Sequence, residues 1–398
     1  MLKGKTILLG VTGSIAAYKI ASLASMLKKA HATVHVIMTK NACNFIHPIT
    51  FETLTGNKCI VDTFDRDFQF EVEHISLAKK ADLCLVAPAS ANVIGKLAGG
   101  IADDMLTTTL LAVRCPVLLS PAMNTNMFLN PIVQDNLKKL ESLGYQVIQP
   151  ATGLLACNDV GLGKMPEAWE LFEYIIAGVA YDKCLLGKKV LVTAGPTQEA
   201  IDPVRYITNH STGKMGYAIA KVAYGMGAEV SLISGPTNLK PPVGVKLIPV
   251  VSAGDMYEAV MAEGKQADLI IKSAAVADYT PSSVSDQKMK KSEENLFIPL
   301  TRTRDILGSL GSAKKEGQVL VGFSMETENL IENSKKKLEK KNLDLIVCNN
   351  LKVEGAGFGH DTNVVTLISK DEIEELPLLS KSQVAESLLN KIAHKYFN

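Results

Sequence analysis

The sequence predicts an α/β fold made of two doubly wound domains with parallel sheets. Short apolar runs alternate with amphipathic stretches along the whole 398-residue chain, as in parallel strands joined by crossover helices. The segment GKTILLGVTGS near the start returns in related form as GKKVLVTAGPT from Gly187, which indicates a second first strand. A chain of this length has room for two domains with sizeable cores. We therefore expect one domain over residues 1–185 and another over residues 186–398.

Short apolar runs bounded by turn residues predict the strands. In the first domain these runs are Thr6–Gly10, Thr33–Met38, Leu83–Ala87, Val117–Ser120 and Gln146–Ile148. In the second domain they are Val190–Thr193, Glu229–Ser234, Lys246–Pro249, Leu269–Ser273, Val319–Phe323, Asp344–Cys348 and Val364–Ser369. A last helix is predicted around Lys381–Lys395. The likeness of KKADLCLVAPASA to KQADLIIKSAAVA is explained equally well by duplication and by shared βαβ periodicity.

Charge and composition indicate a globular protein of the cytoplasm. The 42 Lys and Arg residues nearly balance the 41 Asp and Glu residues, which leaves a net charge of +1. No chain-wide field would hold nucleic acid or an anionic membrane, so any anion site must be local. Seven scattered cysteines without CxxC pairs or metal-ligand spacing favour reduced thiols. The apolar run before Gly10 lacks a cleavage site, and no apolar stretch approaches the ~20 residues that span a bilayer.

Small polar residues follow the predicted strands of the first domain, where an open α/β sheet binds its ligands. They are Gly13, Ser14, Thr39, Ser90 and Asn92. Glycines allow a tight turn after the first strand, and hydroxyls beside a helix N-terminus can hold a phosphate monoester. The turn GVTGS lacks the GxGxxG order, which argues against a dinucleotide. By itself the turn is explained equally well as an ordinary strand-to-helix connection, and the other polar strand ends favour a phosphate site.

Three further residues of the first domain have side chains suited to catalysis. His74 precedes a helix that Ser76 is predicted to cap, a place where a solvated loop histidine is the common alternative to a base. Asn124 follows a strand, where its amide can hold a carboxylate or simply cap a helix. Cys157 lies in a glycine-rich stretch, GLLACNDVGLGKMPE, that is typical of a mobile flap. Most single cysteines only pack, but a thiol in a flap is a better candidate for a proton donor.

Residues 4–175 resemble the flavin-containing cysteine decarboxylases. The matching segments are GVTGSIAAYK, HISLAKKADL, PASANVIGKLAGGIADDML, PAMNTNM and LAC with a downstream GxGKM. The resemblance implies a flavodoxin-like domain that binds FMN and decarboxylates a cysteinyl substrate. In that family FMN oxidises the thiol to a thioaldehyde, carbon dioxide leaves to give an enethiolate, and the reduced flavin returns the hydride.

The same resemblance implies a role for each candidate side chain. His74 would be the base, Asn124 would hold the substrate carboxylate, and Cys157 would donate a proton in the final reduction. These roles suit an imidazole that titrates near neutrality, an uncharged amide and an acidic thiol. The polar strand ends would bind the cofactor. The chain departs from the family pattern at Asn158, often Gly, and at Lys164, often Arg, both in the flap.

The second domain carries two possible anion-binding turns and two lysine clusters. A Gly-Pro-Thr turn follows its first strand and Ser211–Lys214 precede an apolar helix, but the GxxxxGK[ST] pattern of a Walker A loop is absent. The run SKKKLEKKNLDLIV from Ser334 is more simply explained as a solvated helix face. The cluster Lys288–Lys291 follows a Ser/Asp-rich loop, and its like charges repel one another unless an anion is near. A nucleotide triphosphate would suit this cluster.

Residues 186–372 resemble phosphopantothenate–cysteine ligase. The matching segments are TAGPTxExIDPVRxIxNxSxGKMG, AAVADY, KMKK, GFSMET and KKNLDLIVCNN. The resemblance implies that the carboxylate of 4′-phosphopantothenate attacks CTP with help from Mg²⁺, which gives an acyl-cytidylate and pyrophosphate, and that cysteine then displaces CMP. Asn209 would hold the acyl-cytidylate, and Lys288 would bind the nucleotide and stabilise the transferring phosphoryl group. The other implied nucleotide-binding residues are Lys272, Ser273, Ala274, Asp278, Arg304, Asp305, Ile306, Leu307, Phe323, Lys337 and Lys341.

Together the two resemblances predict a bifunctional enzyme of coenzyme A biosynthesis, because the ligase product is the substrate of the decarboxylase. The alternatives are a flavin-dependent peptidyl-cysteine decarboxylase, a flavin prenyltransferase or a non-catalytic flavin-binding regulator, each fused to a nucleotide-binding domain. The ligase motifs and the reactive side chains of the first half weigh against all three. An NAD-dependent dehydrogenase would need GxGxxG and an acidic residue after the second strand. The resemblances also imply a homo-oligomer, in which trimers of the first half and dimers of the second combine into a dodecamer. Arg304 stands where the ligase family usually has Pro, and the sequence identifies no metal ligands.

Overall fold

The computed structural model describes residues 2–64, 73–154, 160–290, 296–326, 330–350 and 359–397. The chain divides into two compact units, residues 1–181 and 182–398. Every cysteine in the described ranges is a free thiol. Within those ranges, no helix combines the length and the apolar character needed to cross a membrane.

The N-terminal unit is built on a six-stranded parallel sheet. Its strands are β1 (Thr6–Val11), β2 (Thr33–Met38), β3 (Cys59–Ile60), β4 (Leu83–Ala89), β5 (Val117–Pro121) and β6 (Gln146–Val147). Their spatial order is 3-2-1-4-5-6, which is the Rossmann order. The predicted α/β class is confirmed, since leaving out the two-residue edge strand β3 gives the remaining five strands the flavodoxin order 2-1-3-4-5. An antiparallel hairpin, β7 (Ala151–Leu154) and β8 (Val160–Lys164), follows the sheet.

Helices cover both faces of this sheet. They are α1 (Tyr18–Lys29), α2 (Pro48–Thr55), α3 (Glu73–Lys80), α4 (Ala91–Gly99), α5 (Met105–Ala112), α6 (Thr125–Leu129), α7 (Pro131–Ser142) and α8 (Ala168–Val179). Alternate residues of β1 enter two separate cores, with Ile7 and Leu9 packed under α1 and α8 and Leu8 packed under α4 and α5. Because strands of such a sheet are buried on both faces, their sequences are continuous apolar runs.

The C-terminal unit repeats this plan and extends it. Its strands are β9 (Lys189–Ala194), β10 (Gln198–Asp202), β11 (Arg205–Thr208), β12 (Glu229–Ser234), β13 (Lys246–Pro249), β14 (Leu269–Lys272), β15 (Tyr279–Pro281), β16 (Leu300–Arg302), β17 (Val319–Glu326), β18 (Leu345–Asn350), β19 (Thr362–Asn363), β20 (Val365–Ser369), β21 (Ile373–Glu375) and β22 (Leu379–Ser380). The main sheet has the order 13-12-9-14-17-18-20-21. Its first six strands are parallel and again follow the Rossmann order, while β20 and β21 pair antiparallel.

The helices of this unit are α9 (Lys214–Gly225), α10 (Ala253–Glu263), α11 (Ile306–Ala313), α12 (Leu330–Lys340) and α13 (Lys381–Tyr396). One core lies between the sheet and α10, α11 and α12, and α9 packs with α13 and against β9. Two hairpins leave the main sheet: β10 pairs with β11, and β15 pairs with β16. Both hairpins start near the carboxyl ends of β9 and β14, so they extend from the edge where ligands of such sheets bind.

Candidate active sites

The carboxyl ends of β1 and β4 are tied together by the hydroxyl of Thr12. Its Oγ1 donates to the carbonyl oxygen of Pro88 at 2.6 Å and accepts from the backbone N–H of Ser90 at 3.0 Å. Thr12 is fully buried, so this link is shielded from competing water. It fixes the turn that leaves β1 against the turn that starts α4.

The polar strand ends predicted to bind the cofactor lie along this edge. Ser14 Oγ accepts from the N–H of Ala16 at 3.3 Å, at the start of a short 3-10 helix, and Thr39 Oγ1 accepts from the N–H of Ala42 at 3.3 Å. Ser90 caps α4 by accepting from the N–H of Val93 at 3.4 Å. Asn92 is exposed in the first turn of the same helix.

Gly13 brings two of these turns into direct contact. A Cβ added at Gly13 would lie 2.8 Å from the Cβ of Asn41, so only glycine lets the first turn approach the residues after β2 this closely. Hydroxyls and helix N-termini that converge in this way fit the phosphate of a mononucleotide. No described residue at this edge supplies the acidic partner that a dinucleotide ribose would need after β2, since Thr39 and Lys40 follow it.

A cleft of about 540 Å³ opens beside Ser14 and beneath the β7–β8 hairpin. It is lined by Ser14, Ile15, Ala16, Tyr18, Lys19, Ala122, Met123, Asn124, Leu154, Gly163, Lys164, Met165 and Glu167. Asn124 caps α6, because its Oδ1 accepts from the N–H of Asn126 at 2.8 Å. Both roles weighed for Asn124 therefore meet in one side chain, which lines the cleft while its cap fixes the orientation of the amide.

The β7–β8 hairpin is docked against the segment that carries Asn124. The N–H of Met123 donates to the carbonyl oxygen of Gly163 at 3.2 Å. Gly163 has a φ of +128°, and a Cβ added there would lie 2.2 Å from the carbonyl oxygen of Met123. Glycine is thus required by both the backbone conformation and the contact.

The other two predicted catalytic residues, Cys157 and His74, are not among the described residues that line this cleft. Cys157 and its neighbour Asn158 lie between β7 and β8 but outside the described residues. His74 lies in the first turn of α3, a partly buried position. Crossover helices run antiparallel to the strands, so the start of α3 faces the carboxyl edge of the sheet. The predicted cap at Ser76 is wrong, since Ser76 lies inside α3.

The cleft is also lined by two charged residues that the sequence did not single out, Lys19 and Glu167. Lys19 Nζ is 2.7 Å from a carboxylate oxygen of Glu167, and its side chain is only 12% exposed. Lys164, predicted to affect the flap, lies 4.0 Å from the same carboxylate. Two buried hydroxyls at the end of β5 and the start of α6, Ser120 Oγ and Thr125 Oγ1, have no hydrogen-bond partner among the described residues. Such groups fit a site that is completed by a polar ligand.

In the C-terminal unit a cleft of about 500 Å³ opens at the carboxyl ends of β14 and β17. It is lined by Lys272, Val276, Ala277, Asp278, Tyr279, Arg302, Thr303, Arg304, Asp305, Ile306, Leu307, Phe323, Lys337 and Lys341. All of the predicted nucleotide-binding residues except Ser273, Ala274 and Lys288 line this cleft. The missing Ala274 is buried, where its N–H donates to Thr193 Oγ1 at 3.1 Å and joins β14 to β9.

Three lysines, Lys272, Lys337 and Lys341, line this cleft and form its positive wall. Desolvation by burial lowers the pKa of Lys272 to about 8, with a further lowering by Lys337 that Asp278 opposes. Lys272 Nζ donates to the carbonyl oxygen of Ala274 at 3.3 Å, and Lys337 Nζ donates to that of Phe323 at 3.2 Å. Below a pH of about 8 the Lys272 ammonium group is charged, and the two carbonyl contacts hold both lysines in place, as an anionic ligand requires.

The rim of the cleft is formed by the start of α11. Asp305 caps that helix by accepting from the N–H of Gly308 at 2.9 Å, and it is paired with Lys341. Arg304 Nη1 lies 2.7 Å from Glu258, and its guanidinium stacks 3.9 Å from the centre of the Tyr257 ring. Where the ligase pattern has Pro, this chain therefore has a residue held by α10.

Asn209 and Lys288 are placed at opposite ends of the β10–β11 hairpin. Asn209 follows β11, and its Nδ2 donates to the carbonyl oxygen of Ala275 at 3.2 Å, so it lies at the edge of the main sheet. Lys288 is exposed in the segment that follows β15 and does not line the cleft. Lys214, in the second predicted anion turn, is already paired with Asp361 at 2.7 Å.

The sequence alone did not identify several residues of these two sites. The residues Thr12, Lys19, Glu167 and Thr303 take part in the sites, and Thr303 Oγ1 donates to the carbonyl oxygen of Ala277 at 2.7 Å. Only their proximity to the motifs pointed to them. Within the described ranges, no group of three His, Cys, Asp or Glu side chains is placed to hold a metal ion.

Comparison with known proteins defines the class of the chain. Residues 1–180 match the Flavoprotein family, and residues 185–396 match the family "DNA/pantothenate metabolism flavoprotein C-terminal domain". The protein is thus a flavoprotein unit followed by the second domain of pantothenate-metabolism flavoproteins. The chain belongs to the family of coenzyme A biosynthesis bifunctional proteins, which confirms the predicted resemblance.

Two relatives that match this chain over nearly its whole length support that assignment. The chain is 51% identical over 397 residues to the coenzyme A biosynthesis bifunctional protein CoaBC of Bacillus subtilis, covering 99% of this chain and 98% of that protein. It is 45% identical over 393 residues to its namesake in Vibrio cholerae, covering 98% of each. A cysteine/cysteine sulfinic acid decarboxylase of an unknown prokaryotic organism is 44% identical over 353 residues, covering 87% of this chain and 98% of that protein. The solved C-terminal domain of a CoaBC protein is 48% identical, with a TM-score of 0.47, and covers 54% of this chain and 97% of that one.

Proposed function

We propose that the chain catalyses two consecutive steps of coenzyme A biosynthesis, with residues 186–398 as the ligase and residues 1–185 as the decarboxylase. The observation that carries this proposal is the pair of separate clefts at the carboxyl ends of two Rossmann sheets. The first cleft contains Asn124 and lies beside the polar strand ends that suit a mononucleotide. The second cleft is lined by lysines, and we call it the lysine-walled cleft. The product of the first reaction, 4′-phosphopantothenoylcysteine, is the substrate of the second.

In the ligase half, the positive wall binds the triphosphate of CTP together with Mg²⁺. Lys272, Lys337 and Lys341 line this cleft and would bind the phosphates, and Asp278 is an exposed residue of the same lining. The carboxylate of 4′-phosphopantothenate attacks the α-phosphorus of CTP, the bond to the β-phosphate breaks, and pyrophosphate leaves. Lys288 neutralises charge on the transferring group, and Asn209 holds the acyl-cytidylate while the amine of cysteine displaces CMP.

In the decarboxylase half, FMN binds with its phosphate at the turns of Gly13, Ser14, Thr39, Ser90 and Asn92. When bound it supplies the redox step that makes loss of carbon dioxide easy. Asn124 meets the substrate carboxylate with its amide N–H group, since its Oδ1 is the acceptor of the α6 cap.

Two other residues complete the proposed chemistry of this half. His74 serves as the base, and Cys157, outside the described residues, donates the final proton. The β7–β8 hairpin covers the cleft and excludes water from it.

The second half of the chain distinguishes the proposed function from decarboxylases with other substrates. A decarboxylase of free cysteine or of peptidyl cysteine needs no nucleotide, yet the lysine-walled cleft collects nine residues that the ligase resemblance named: Lys272, Asp278, Arg304, Asp305, Ile306, Leu307, Phe323, Lys337 and Lys341. A non-catalytic flavin-binding regulator would have no use for them either. Free cysteine remains the informative control substrate, because a relative carries that activity in its name.

The cofactor is tested by what the purified protein retains. We expect a yellow protein that releases FMN on denaturation, with one FMN per chain, identified by absorbance and by mass spectrometry. Removing the hydroxyl that joins β1 to β4, by Thr12→Val, should lower the retained FMN, because the turn of Ser14 loses its link to α4. A colourless parent protein that takes up no FMN on titration would contradict the proposal for this half.

We also propose that the protein works as a homo-oligomer in the cytoplasm. Large apolar side chains remain exposed in both units, among them Ile15 and Tyr18, which line the first cleft, and Tyr206 and Phe297 in the second unit. Exposed apolar side chains grouped at a site favour contact with another protein surface. A trimer of the first half and a dimer of the second would cover these groups, and their combination is a dodecamer.

A further inference from the structure

The backbone of Met289 is held on both sides by the tip of the β10–β11 hairpin. Its N–H donates to Asp202 Oδ2 at 3.1 Å, and its carbonyl oxygen accepts from Arg205 Nη2 at 3.0 Å. Met289 separates the two lysines of the described part of the cluster, Lys288 and Lys290. The contact joins residues that lie 87 positions apart in the chain.

Asp202 is built into this contact and is not a surface charge. Its carboxylate is buried, with a side chain that has no exposed area. One oxygen accepts from the N–H groups of Val204 and Arg205 at 2.8 and 3.0 Å, and the other accepts from Met289 and lies 3.4 Å from Arg205 Nε. Burial alone would raise the pKa of Asp202, but the backbone hydrogen bonds from Val204, Met289 and Arg205 outweigh it and lower the pKa.

The same segment is attached to the hairpin at a second point. The N–H of Ser285 donates to the carbonyl oxygen of Ile201 at 3.1 Å, one residue before Asp202. The base of the hairpin is fixed in turn, since Thr208 Oγ1 donates to the carbonyl oxygen of Thr197 at 2.7 Å. A continuous set of hydrogen bonds therefore runs from the main sheet through the hairpin to the lysine segment.

We propose that Asp202 is a positioning residue for the ligase reaction, which anchors the lysine segment at Met289 so that Lys288 is presented to the triphosphate from a fixed point. The inference rests on the proposed ligase function. Three mutually repelling lysines would otherwise drive their segment away from any one place. Anchoring the backbone at the residue between Lys288 and Lys290 restricts both side chains without using either of their charges. A displacement of about 1 Å at a charge-stabilising group can cost up to about a hundredfold in rate.

The test compares Asp202→Asn with Asp286→Asn in the full-length protein. The single amide oxygen is best placed to keep the two N–H groups of Val204 and Arg205, which turns the NH₂ group towards the N–H of Met289, so the anchor is lost. Asp286 is an exposed residue of the same segment, and its replacement makes the same chemical change. We expect trypsin to cut after Lys288 and Lys290 about tenfold faster in Asp202→Asn than in the parent or in Asp286→Asn.

Kinetics of the half-reaction complete the test. In Asp202→Asn the rate of pyrophosphate release from CTP and 4′-phosphopantothenate should fall about tenfold or more, while the Kd for CTP changes less than about twofold. General loosening of the unit would weaken CTP binding as well. Decarboxylation of supplied 4′-phosphopantothenoylcysteine should stay at the parent rate, which reports an intact first half.

A second variant removes the same hydrogen bond from the other side. Met289→Pro deletes the donor and leaves Asp202 with Val204 and Arg205, so it should reproduce the loss of pyrophosphate release. The proposal is overturned if Asp202→Asn and Met289→Pro both release pyrophosphate at the parent rate, whether or not trypsin cuts faster. A parent protein that releases no pyrophosphate contradicts the proposed ligase function instead, and faster cutting in Asp202→Asn would still establish the anchor.

Discussion

Replacing Lys288 by Gln is expected to stop the ligase before its first product. Lys288 belongs to a lysine cluster whose mutual repulsion a bound triphosphate would relieve, and its charge is proposed to stabilise the transferring phosphoryl group. Loss of one such group typically costs about 10²- to 10³-fold in rate. With CTP, 4′-phosphopantothenate and Mg²⁺, the variant should therefore yield neither pyrophosphate nor acyl-cytidylate above about 1% of the parent rate.

Asn209→Asp is expected to impair the second step of the ligation and to leave the first step intact, unlike Lys288→Gln. The Asn209 amide donates to the carbonyl oxygen of Ala275, and a carboxylate there cannot donate and would repel both that oxygen and an anionic intermediate. We expect this variant to release pyrophosphate and to accumulate an acyl-cytidylate that mass spectrometry detects, because only the attack by cysteine is impaired. Lys336→Gln is the matched control for Lys288, since Lys336 is a highly exposed lysine of α12 paired with Glu332. Complete ligation at the parent rate by both Lys288→Gln and Asn209→Asp would show that the lysine cluster is only a solvated surface.

The second large effect is expected from Gly163→Ala in the first unit. The new methyl group would lie 2.2 Å from the carbonyl oxygen of Met123, at a φ of +128° that costs about 1–3 kcal/mol for a residue other than glycine. The β7–β8 hairpin must then leave the segment of Asn124. We expect decarboxylation of 4′-phosphopantothenoylcysteine to fall by about tenfold to a hundredfold, while FMN content and ligation stay unchanged.

Gly144→Ala is the matched control for Gly163→Ala. Gly144 also has a positive φ, +91°, but a Cβ added there meets no atom within 4 Å. The control therefore introduces comparable backbone strain without pushing the hairpin away. Parent-like decarboxylation in Gly163→Ala, measured as carbon dioxide released per FMN, would mean that docking of the hairpin on Met123 is not needed for the reaction.

The regular part of the fold could be predicted from the sequence because long apolar runs are buried on both faces of a parallel sheet. Thr33–Met38 and Glu229–Ser234 have the same bounds in the structure as in the prediction. The two-residue strand β3 was missed, because so short a strand depends on its pairing with β2 more than on its own sequence. The hairpins β10–β11 and β15–β16 were also missed, since short polar strands depend on their surroundings more than on propensity.

The sites followed from the sequence to the extent that they lie at strand ends. Parallel strands bring their carboxyl ends to one edge, so Ser14 and Ser90 in one unit and Lys272 and Phe323 in the other could be grouped from the sequence alone. Contacts such as Thr12 with Pro88 and Asp202 with Met289 join residues 76 and 87 positions apart through loops. No periodicity records the course of a loop, so these contacts required the structure.

The central claim, that one chain runs both reactions, is tested most directly by the mass balance of a single incubation. The protein with its retained FMN receives 4′-phosphopantothenate, cysteine, CTP and Mg²⁺, and four products are measured over time. We predict pyrophosphate, CMP, carbon dioxide and 4′-phosphopantetheine in equal amounts, with no carbon dioxide from cysteine when CTP is omitted. Release of carbon dioxide from free cysteine without CTP, or accumulation of 4′-phosphopantothenoylcysteine with no 4′-phosphopantetheine, would contradict the account.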